Sequence, residues 1–406
     1  MTVSRIIYLS QLFDPEPTFK GLAFIQELAA RGNEVEVVTG FPNYPGGKLY
    51  DGYRIGPIHR ETMEGVEVTR LAVYPSHDRS AVRRIACYMS FFFTSLAYLL
   101  FRARRADLIY VYYPSLTAGL SAVCARFFRR TPIILDIQDM WPDSLGASGM
   151  MRNRALLATV NWFCDLLYRN VDHIVVLSPG FRDLLVARGV PPGKISVIYN
   201  WAEETGPAVP GAPPITLAKN ASFTVLFAGN MGAAQGLDTV LDAAKIVGST
   251  RPDITFCFMG GGMERPTLEA RAQEAGLTNV RFLPRVPLAD VQNYLAAADC
   301  LLVHLRDDPL FRITIPSKTQ AYLYASRPIL MAVRGDAADL VTEAQAGYAV
   351  LPGDPDDLAA NVLALASLSS DDRRVLGDNG RQFYETRLAA HHGIGAIAGL
   401  IGRFRR

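Results

Sequence analysis

One short segment, residues 314–318, has residue types that could bind an anion. This proline-containing turn stands directly before a helical pattern over residues 319–325 and a buried strand pattern over residues 328–332. A turn that leads into a helix leaves backbone N–H groups without partners, and the helix dipole favours negative charge there. Lys318 adds a full positive charge. The segment predicts a seat for a phosphate or diphosphate, although an N-capping Ser317 before a solvated lysine would look the same.

Two arginines stand close to this segment in the sequence. Arg306 and Arg312 flank the loop 307–309, which follows the apolar strand pattern of residues 300–305. Ligands of open α/β sheets bind at the carboxyl ends of strands. We therefore expect these cations at the ligand-binding edge of a sheet.

Glycines follow two other predicted strands of the same half. The turn 229–236 comes after residues 223–228, and Gly260-Gly261-Gly262 comes after residues 254–259. Glycine lets a backbone approach its neighbours or a ligand closely. We predict that these turns and the segment around Lys318 share one edge of a domain.

Strand and helix patterns alternate along both halves of the chain. β-Branched apolar runs separated by helical stretches imply parallel crossover units. The predicted strands are residues 6–9, 34–39, 108–113, 133–136, 173–177, 195–198, 223–228, 254–259, 280–283, 300–305, 329–332 and 348–350. The sequence predicts an α/β protein with two doubly wound parallel-sheet (Rossmann-like) domains that face each other across a cleft.

A stretch rich in proline and glycine divides the two halves. Residues 206–214 contain four prolines and two glycines, which is typical of a linker. We predict a first domain in residues 1–203, a linker in 204–222 and a second domain in 223–377. A helical segment in residues 378–406 is expected to pack back on the first domain.

Composition narrows the class of protein. Half of the 406 residues are apolar, which predicts substantial cores. The net charge of +2 argues against nucleic acid as a partner. The five cysteines lie in apolar runs without metal-like spacing, and no signal peptide precedes the first strand, so we expect a cytoplasmic protein with reduced cysteines.

An apolar run with basic flanks occupies residues 85–101. Nine arginines and a single acid lie between Arg79 and Arg130. As a helix the run would reach about 25 Å, short of the ~30 Å hydrocarbon core of a bilayer. A helix lying in the bilayer interface and a plain core helix are both open, and spanning is disfavoured. We predict that segment 79–130 attaches peripherally to an anionic membrane surface.

Taken in order, these motifs resemble the nucleotide-sugar glycosyltransferases of family 4, which have the two-domain GT-B fold. In the first half, residues 27–40, 42–45 and 139–143 are similar to bacterial surface-polysaccharide enzymes, notably the WbuB-like N-acetyl-fucosaminyl transferases. In the second half, residues 229–232, 235–237 and 314–323 resemble the same subgroup. The resemblance implies an acceptor-binding first domain and a nucleotide-sugar-binding second domain.

The chain departs from the wider family at several functional positions. Many family members have an Arg and a Lys in the glycine turn to hold the diphosphate, and those places are Asn230 and Gln235 here. The pair of glutamates typical of the family falls on Ile313 and Ala321. Lost cations must be replaced if an anion is to be bound away from water. We expect Lys318 to supply the charge, with help from Arg312 or Arg285.

The expected donor-binding residues line the turns described above. Gln320 is expected to contact ribose in place of the missing glutamate, and the base is expected near Arg285 and Val286. The complete predicted donor set is Gly229, Asn230, Met231, Gly232, Gln235, Gly260, Gly261, Arg285, Val286, Arg312, Ile315, Pro316, Ser317, Lys318 and Gln320.

The acceptor side is expected around the first loop and the residues near Asp139. The family's glycine-rich first loop corresponds to residues 18–21, where Lys20 and Gly21 would meet the donor phosphates or the acceptor sugar. Gln138 stands where many relatives have a histidine, so Asp139 is the candidate catalytic group together with Lys318; a strand-end or capping carboxylate is the alternative. The predicted acceptor-binding residues are Phe19, Lys20, Gly21, Asn43, Tyr44 and Trp141.

The resemblance implies a retaining glycosyltransferase that needs no metal or other cofactor. It would move a hexosyl or N-acetylhexosaminyl group, such as FucNAc or GlcNAc, from a UDP-sugar to a polyprenyl-diphosphate-linked saccharide in O-antigen, capsule or exopolysaccharide synthesis. We expect it in the cytoplasm, attached to the inner face of the cell membrane. A nucleotide-sugar 2-epimerase of the same fold and a non-catalytic nucleotide-sugar-binding protein are the alternatives; a dehydrogenase is disfavoured because no Gly-x-Gly-x-x-Gly follows the first strand.

Overall fold

The computed structural model describes residues 4–76, 81–113, 115–147, 153–204 and 215–404. The chain divides into two compact units: Met1–Ile198 with Ile394–Arg406, and Tyr199–Gly393. The unit boundaries therefore fall at residues 198/199 and 393/394, whereas the sequence placed the domain boundaries after residues 203 and 377. Most of the predicted linker, residues 205–214, lies outside the described residues.

The first unit is built on an eight-stranded sheet. Its strands follow one another in space as β3-β4-β2-β1-β5-β6-β7-β8, and every pair is parallel except β3 with β4. The strands are β1 (Ser4–Leu9), β2 (Asn33–Gly40), β3 (Ile58–Met63), β4 (Val66–Leu71), β5 (Leu108–Tyr113), β6 (Ile133–Ile137), β7 (His173–Val176) and β8 (Ile195–Val197).

Helices connect the parallel strands of this sheet. Central strands such as β5 are buried along their whole length, which explains their continuous runs of apolar and aromatic residues. The helices are α1 (Leu22–Ala30), α2 (Ala81–Phe101), α3 (Leu116–Arg129), α4 (Asp143–Ala147), α5 (Arg154–Asn170) and α6 (Pro179–Ala187).

The antiparallel pair β3–β4 was not predicted from the sequence. β3 reads Ile-His-Arg-Glu-Thr-Met and has no buried residue, so it lacks the apolar run by which the other strands were identified. It pairs with β4 through the two-residue turn at Glu64 and Gly65, both of which have positive φ.

The second unit has a six-stranded, wholly parallel sheet in the order β11-β10-β9-β12-β13-β14. Aromatic and aliphatic side chains of β9 and β10, including Phe227 and Phe258, pack with apolar residues of α7 and α13 in its core. The strands are β9 (Phe223–Asn230), β10 (Ile254–Gly261), β11 (Val280–Leu283), β12 (Cys300–His304), β13 (Ile329–Ala332) and β14 (Gly347–Ala349).

The helices of the second unit begin where the turn residues indicate. Asp354 caps α13 by accepting hydrogen bonds from Asp356 N and Asp357 N. The helices are α7 (Leu237–Thr250), α8 (Arg265–Glu274), α9 (Leu288–Ala296), α10 (Pro309–Arg312), α11 (Ser317–Tyr324), α12 (Asp336–Glu343), α13 (Pro355–Ser367) and α14 (Ser370–Phe383). A last helix, α15 (Ala390–Gly402), begins in this unit.

The predicted fold class is confirmed: the chain forms two α/β units with parallel sheets. The predicted C-terminal helical segment is divided into α14, a π-helical turn at Tyr384–Leu388, and α15. From Ile394 onward α15 belongs to the first unit.

Candidate functional site

The ends of β9 and β10 meet without space for side chains. A Cβ atom on Gly260 would lie 2.1 Å from Gly229 O, and one on Gly262 would lie 2.2 Å from Met231 O. Both glycines also have φ in the region that disfavours other residues, at +130° and +150°. The two glycine turns predicted from the sequence therefore form one continuous wall at the carboxyl edge of the second sheet.

Lys318 reaches across this wall from α11. A Cβ atom on Gly229 would lie 2.6 Å from Lys318 Cε, so a side chain at position 229 would collide with the lysine side chain. The ammonium nitrogen lies 4.6 Å from the centre of the Phe227 ring, a cation–π distance. Gly229, Gly260 and Lys318 are thus brought together, as the sequence predicted.

The Lys318 ammonium has no acidic partner among the residues that the structure describes. Burial lowers the pKa of this lysine to about 8, because water is partly removed and no carboxylate replaces it. At neutral pH it is still mostly protonated. A partly buried cation without a counter-charge is suited to receive an anionic ligand.

α11 is held in place by its own contacts with β9. Tyr322 is buried, and its hydroxyl accepts a hydrogen bond of 2.9 Å from Ala228 N. Ile315 is buried just before the helix, Pro316 occupies the N-cap position without a side-chain cap, and Ser317 is exposed in the first turn. The backbone N–H groups of this first turn therefore remain open to a ligand.

The two positions where relatives have cations behave differently from each other. Asn230 is exposed at the end of β9. Gln235 instead uses its Oε1 to accept a 3.0 Å hydrogen bond from Gly232 N within the turn. This hydrogen bond shapes the turn, and a contact of the half-buried Gln235 with the donor stays a prediction.

Arg312 also differs from the expectation. Its guanidinium makes two hydrogen bonds to the Asp307 carboxylate, at 2.9 and 3.1 Å. This pair raises the pKa of Arg312 and lowers that of Asp307. The charge of Arg312 is partly matched by Asp307, whose Oδ2 also lies 3.7 Å from Arg334 Nε, so Lys318 is the better candidate cation for the donor.

Arg285 and Val286 follow β11 next to the glycine wall. Arg265 connects this place to β10, since its Nη1 donates to Gly260 O at 2.5 Å and to Leu283 O at 2.8 Å. Arg285 is exposed there and Val286 is half-buried. A contact of either residue with a base stays a prediction.

Gln320 lies in the interior of the second unit. Its side chain is buried, and its Oε1 has no hydrogen-bond partner among the described residues. The expectation that Gln320 contacts ribose is therefore not supported, because only 1% of the residue is exposed.

In the first unit Lys20 is completely buried, with 0% exposure. Its ammonium pairs with the buried carboxylate of Asp136, which also accepts hydrogen bonds from the Tyr110 hydroxyl and, at 2.6 Å, from Gln138 Nε2. The expected contact of Lys20 with phosphates or acceptor is corrected, since this lysine neutralises a core carboxylate.

The N-terminus of α1 is likewise occupied from within the chain. Leu22 N donates a 2.7 Å hydrogen bond to Asp14 Oδ2, and a Cβ atom on Gly21 would lie 2.2 Å from the same oxygen. The anion that the helix end attracts is thus Asp14. A side chain at position 21 would have to displace the Asp14 carboxylate, and a part of Gly21 in ligand binding stays a prediction.

A cavity of about 190 Å³ opens at the strand ends of the first sheet. Two predicted acceptor residues, Asn43 and Tyr44, line it, and Tyr88 on its wall packs edge-to-face with Trp141 at 6.0 Å. The other lining residues are Gln11, Leu12, Ser76, Cys87 and Ser115. Phe19 is half-buried in the first loop.

Glu16 fixes one wall of this cavity. Its Oε1 accepts hydrogen bonds from Asn43 N at 2.7 Å and Tyr44 N at 2.8 Å, while Oε2 accepts one from Phe13 N at 3.2 Å. These three bonds join the first loop to the segment that carries Asn43 and Tyr44. The lining side chains are neutral, so the cavity suits an uncharged polar group such as a sugar.

Asp139 lies after β6, and its residue surface is exposed. Partial desolvation by the surrounding protein raises the pKa of its carboxyl above the ordinary value, and this outweighs the hydrogen bonds that oppose it. A carboxylate with a raised pKa is a better proton acceptor. The structure thus leaves Asp139 accessible, and its catalytic role stays a prediction.

Sequence reasoning missed several residues that shape these sites. Arg265, Tyr322 and Glu16 each bond to at least one backbone atom far away in the sequence, at Leu283, Ala228 and Asn43, and no local motif marks them. His304, at the end of β12, donates through Nδ1 to Gln235 O at 2.6 Å and so supports the glycine turn. Within the described ranges no group of three His, Cys, Asp or Glu side chains could hold a metal ion.

Two family models match the chain. The first, described as "Glycosyl transferase 4-like domain", matches residues 22–201, and the second, "Glycosyl transferases group 1", matches residues 222–367. The chain belongs to the glycosyltransferases of this family-4 type, with the GT-B fold.

Known proteins agree with this assignment. The chain is 28% identical over 291 residues to WbjE of Pseudomonas aeruginosa, named as a glycosyltransferase, covering 68% of this chain and 72% of that protein. It is 27% identical over 315 residues to WcaI of Escherichia coli K12, named as a colanic acid biosynthesis glycosyl transferase, covering 74% and 76%. Its fold is similar to that of Anabaena HepE solved with UDP-glucose, with a TM-score of 0.69, 17% identity, and coverage of 98% of this chain and 100% of that one.

Proposed function

We propose that this glycosyltransferase moves a sugar from a UDP-sugar to a lipid-linked saccharide during synthesis of a bacterial surface polysaccharide. The relatives named above support the polysaccharide pathway, and the similar fold of HepE, solved with UDP-glucose, supports UDP as the carrier. The narrower resemblance to WbuB-like enzymes favours an N-acetylated amino sugar such as FucNAc or GlcNAc.

The observation that carries the proposal is the unpaired ammonium of Lys318 above Gly229. A diphosphate at this wall would meet Lys318 together with the open backbone N–H groups of Ser317 and Lys318. Charge-assisted donors aimed at a leaving diphosphate stabilise the charge that develops as the sugar departs. Lys318 therefore serves both donor binding and departure of the leaving group.

The family retains the configuration of the transferred sugar, and we propose the same here through attack on the face from which the diphosphate leaves. The leaving diphosphate then helps to take the proton of the acceptor hydroxyl. Asp139 orients the donor sugar or accepts that proton, which its raised pKa favours. We propose that the reaction needs no metal.

A ligand panel followed by a transfer assay tests the donor. Calorimetry with UDP, GDP, ADP and their sugar conjugates should show UDP compounds binding most tightly, and turnover with polyprenyl-diphosphate saccharides should persist in EDTA. A protein that binds UDP-sugar and releases an epimerised sugar, or no product with any acceptor, would contradict the proposal.

Asp139→Asn tests the acceptor half. We expect turnover to fall by about a hundredfold or more, since general base catalysis contributes roughly 10²–10⁴-fold. The UDP affinity and the melting temperature of the variant should equal those of the wild type. Asp183→Asn, at an exposed carboxylate on α6, is the matched control. Near-normal turnover of Asp139→Asn would remove this residue from the mechanism.

A further inference from the structure

Exposed aromatic side chains are concentrated on one part of the first unit. All six exposed phenylalanine and tryptophan side chains of the described residues lie on α2, α3 and α5: Phe93, Phe101, Phe127, Phe128, Trp162 and Phe163. α3 packs against both α2 and α5, so the three helices are neighbours. A cluster of large, exposed apolar side chains is typical of a surface that binds a membrane or another molecule.

α2 has one face in the core and one face outside. Val82, Ile85, Met89 and Phe93 follow helical spacing along the exposed face. The opposite face is buried, with Cys87, Phe91, Ser95, Tyr98 and Leu99.

Among the described residues α2 is the single helix long and apolar enough to cross a membrane, over Val82–Phe101 with a mean hydropathy of 1.4. Its inner face packs on α3, where the Ser95 and Ser121 hydroxyls form a 2.9 Å hydrogen bond. If α2 crossed a membrane, its inner face would lose its packing against the rest of the first unit. The helix is therefore suited to lie along an interface instead.

The C-terminal ends of α2 and α3 form a basic aromatic tip, which we define as residues 101, 102, 104, 105, 127, 128 and 130. Arg129 ties the two ends together by donating to Leu100 O at 2.7 Å and to Ala103 O at 2.8 Å. Three phenylalanines of the tip are strongly exposed: Phe101 at 78%, Phe127 at 70% and Phe128 at 78%.

The four arginines of the tip, Arg102, Arg104, Arg105 and Arg130, are exposed and have no acidic partner in the described part of the chain. Asp107, the nearest acid in the sequence, is engaged by Arg5 N at 2.9 Å. Unmatched positive charge beside exposed phenylalanine is complementary to a surface with negative headgroups over an apolar interior. A folded protein partner would need an apolar cleft ringed by acids to match it.

We propose that the exposed face of α2 and the basic aromatic tip dock on an anionic phospholipid bilayer, with the phenylalanines of the tip entering the headgroup region. The proposal rests on the proposed function, because this surface would bring the enzyme to a lipid-linked acceptor.

The docking surface lies close to the cavity in the first unit. Cys87 and Tyr88 of α2 line the cavity, while Ile85 and Met89 of the same turns lie on the outer face. One helix, about 10 Å across, separates the cavity from the bilayer in this arrangement. The saccharide of a lipid-linked acceptor can then reach the cavity while its lipid stays in the membrane.

Vesicle sedimentation of the full chain tests the proposal. The probe is a vesicle of phosphatidylcholine and phosphatidylglycerol in equal parts, compared with pure phosphatidylcholine, at low and high salt. We expect binding only to the anionic vesicle and loss of binding as salt screens the charges. Arg102→Gln/Arg105→Gln should weaken binding about fivefold for each arginine. Phe101→Ser/Phe128→Ser should weaken it about tenfold or more.

Matched controls come from the second unit. Met263→Ser and Leu288→Ser remove apolar side chains that are 79% and 64% exposed, and Lys245→Gln removes an exposed cation; none should change sedimentation. UDP affinity and circular dichroism show that each variant is folded. Transfer to a water-soluble saccharide acceptor should be unchanged in the tip variants, and transfer to a lipid-linked acceptor in vesicles should fall with binding.

Two results would overturn the proposal. One is a wild-type chain that ignores anionic vesicles while it still transfers sugar in solution, which leaves the proposed enzyme function standing. The other is concentration-dependent self-association without lipid that the tip variants abolish, because the surface would then be an interface between copies of the chain.

Discussion

Lys20 and Lys318 both follow loops at the carboxyl edges of parallel sheets, and the sequence suggested the same task for both. In the first unit Lys20 is fully enclosed and paired with Asp136. In the second unit Lys318 lies over the Phe227 ring with no carboxylate beside it, and burial lowers its pKa to about 8. A buried lysine that has its own counter-charge holds the fold together, whereas one without it is available to an anion.

The largest expected effect concerns the paired lysine. Lys20→Met leaves Asp136 as an uncompensated buried charge, so we expect the free energy of unfolding to fall by about 3–5 kcal/mol. Urea denaturation of the full wild-type and variant chains measures this difference. Lys20→Met/Asp136→Asn should recover part of the loss, because no unpaired charge remains. A loss below about 1 kcal/mol would mean that the pair contributes little.

The opposite change is expected for the unpaired lysine. Lys318→Met removes a desolvated charge, so the ligand-free protein should gain roughly 1–3 kcal/mol at pH 7. Because the pKa of Lys318 is lowered from 10.5 to about 8, the destabilising effect is complete below pH 8. It disappears as pH rises through 10.5, where the unfolded chain also loses the proton. Urea denaturation of the full wild-type and Lys318→Met chains at pH 7 and pH 10.5 should show the gain in stability only at the lower pH.

Donor binding should depend on pH in the opposite direction. The diphosphate binds the protonated lysine, so UDP affinity should fall as pH rises above 8, by up to about tenfold for each pH unit. Calorimetry at several pH values measures this. Lys318→Arg stays charged and should lose the dependence, although its affinity at pH 7 is lower because a guanidinium does not fit the path over Gly229. A wild-type affinity that is constant from pH 7 to pH 9.5 would contradict the assignment of the low pKa.

The smallest expected effect is on the contact that positions α11. Tyr322→Phe leaves the shape of the core but removes the acceptor of the Ala228 N hydrogen bond. We expect a loss of about 1 kcal/mol in stability and a severalfold weaker binding of UDP. Tyr324→Phe, two residues further along the same helix, is the control for binding. Equal effects of both variants on UDP affinity would mean that the Tyr322 hydroxyl does not position α11 for donor binding.

The fold was largely predictable because both sheets are built from apolar, β-branched runs with helices between them. β3 escaped prediction since it is a polar edge strand whose position depends on its antiparallel partner. The glycine wall was predictable for a local reason: the glycines stand at the ends of strands. That Lys318 lies over Gly229 depends on the packing of α11, which no residue spacing determines.

The corrected site residues share one physical cause. Lys20 and Arg312 were read as free cations, but their carboxylates are Asp136, 116 residues along the chain, and Asp307 in the same loop. Gln320 was read as polar and therefore accessible, yet it is buried. Sequence gives the chemical type of a side chain, and tertiary structure decides whether its partner is a ligand or the protein itself.

The central claim is that Lys318 holds the leaving diphosphate of the donor. The most direct measurement compares the calorimetric affinities of UDP and uridine in the wild type and in Lys318→Ala, with Lys245→Ala as the control. Since a charge-assisted bond contributes roughly 1.5–3 kcal/mol, UDP affinity should fall about ten- to a hundredfold while uridine affinity stays the same. Unchanged UDP affinity, or an equal loss for UDP and uridine, would contradict the claim.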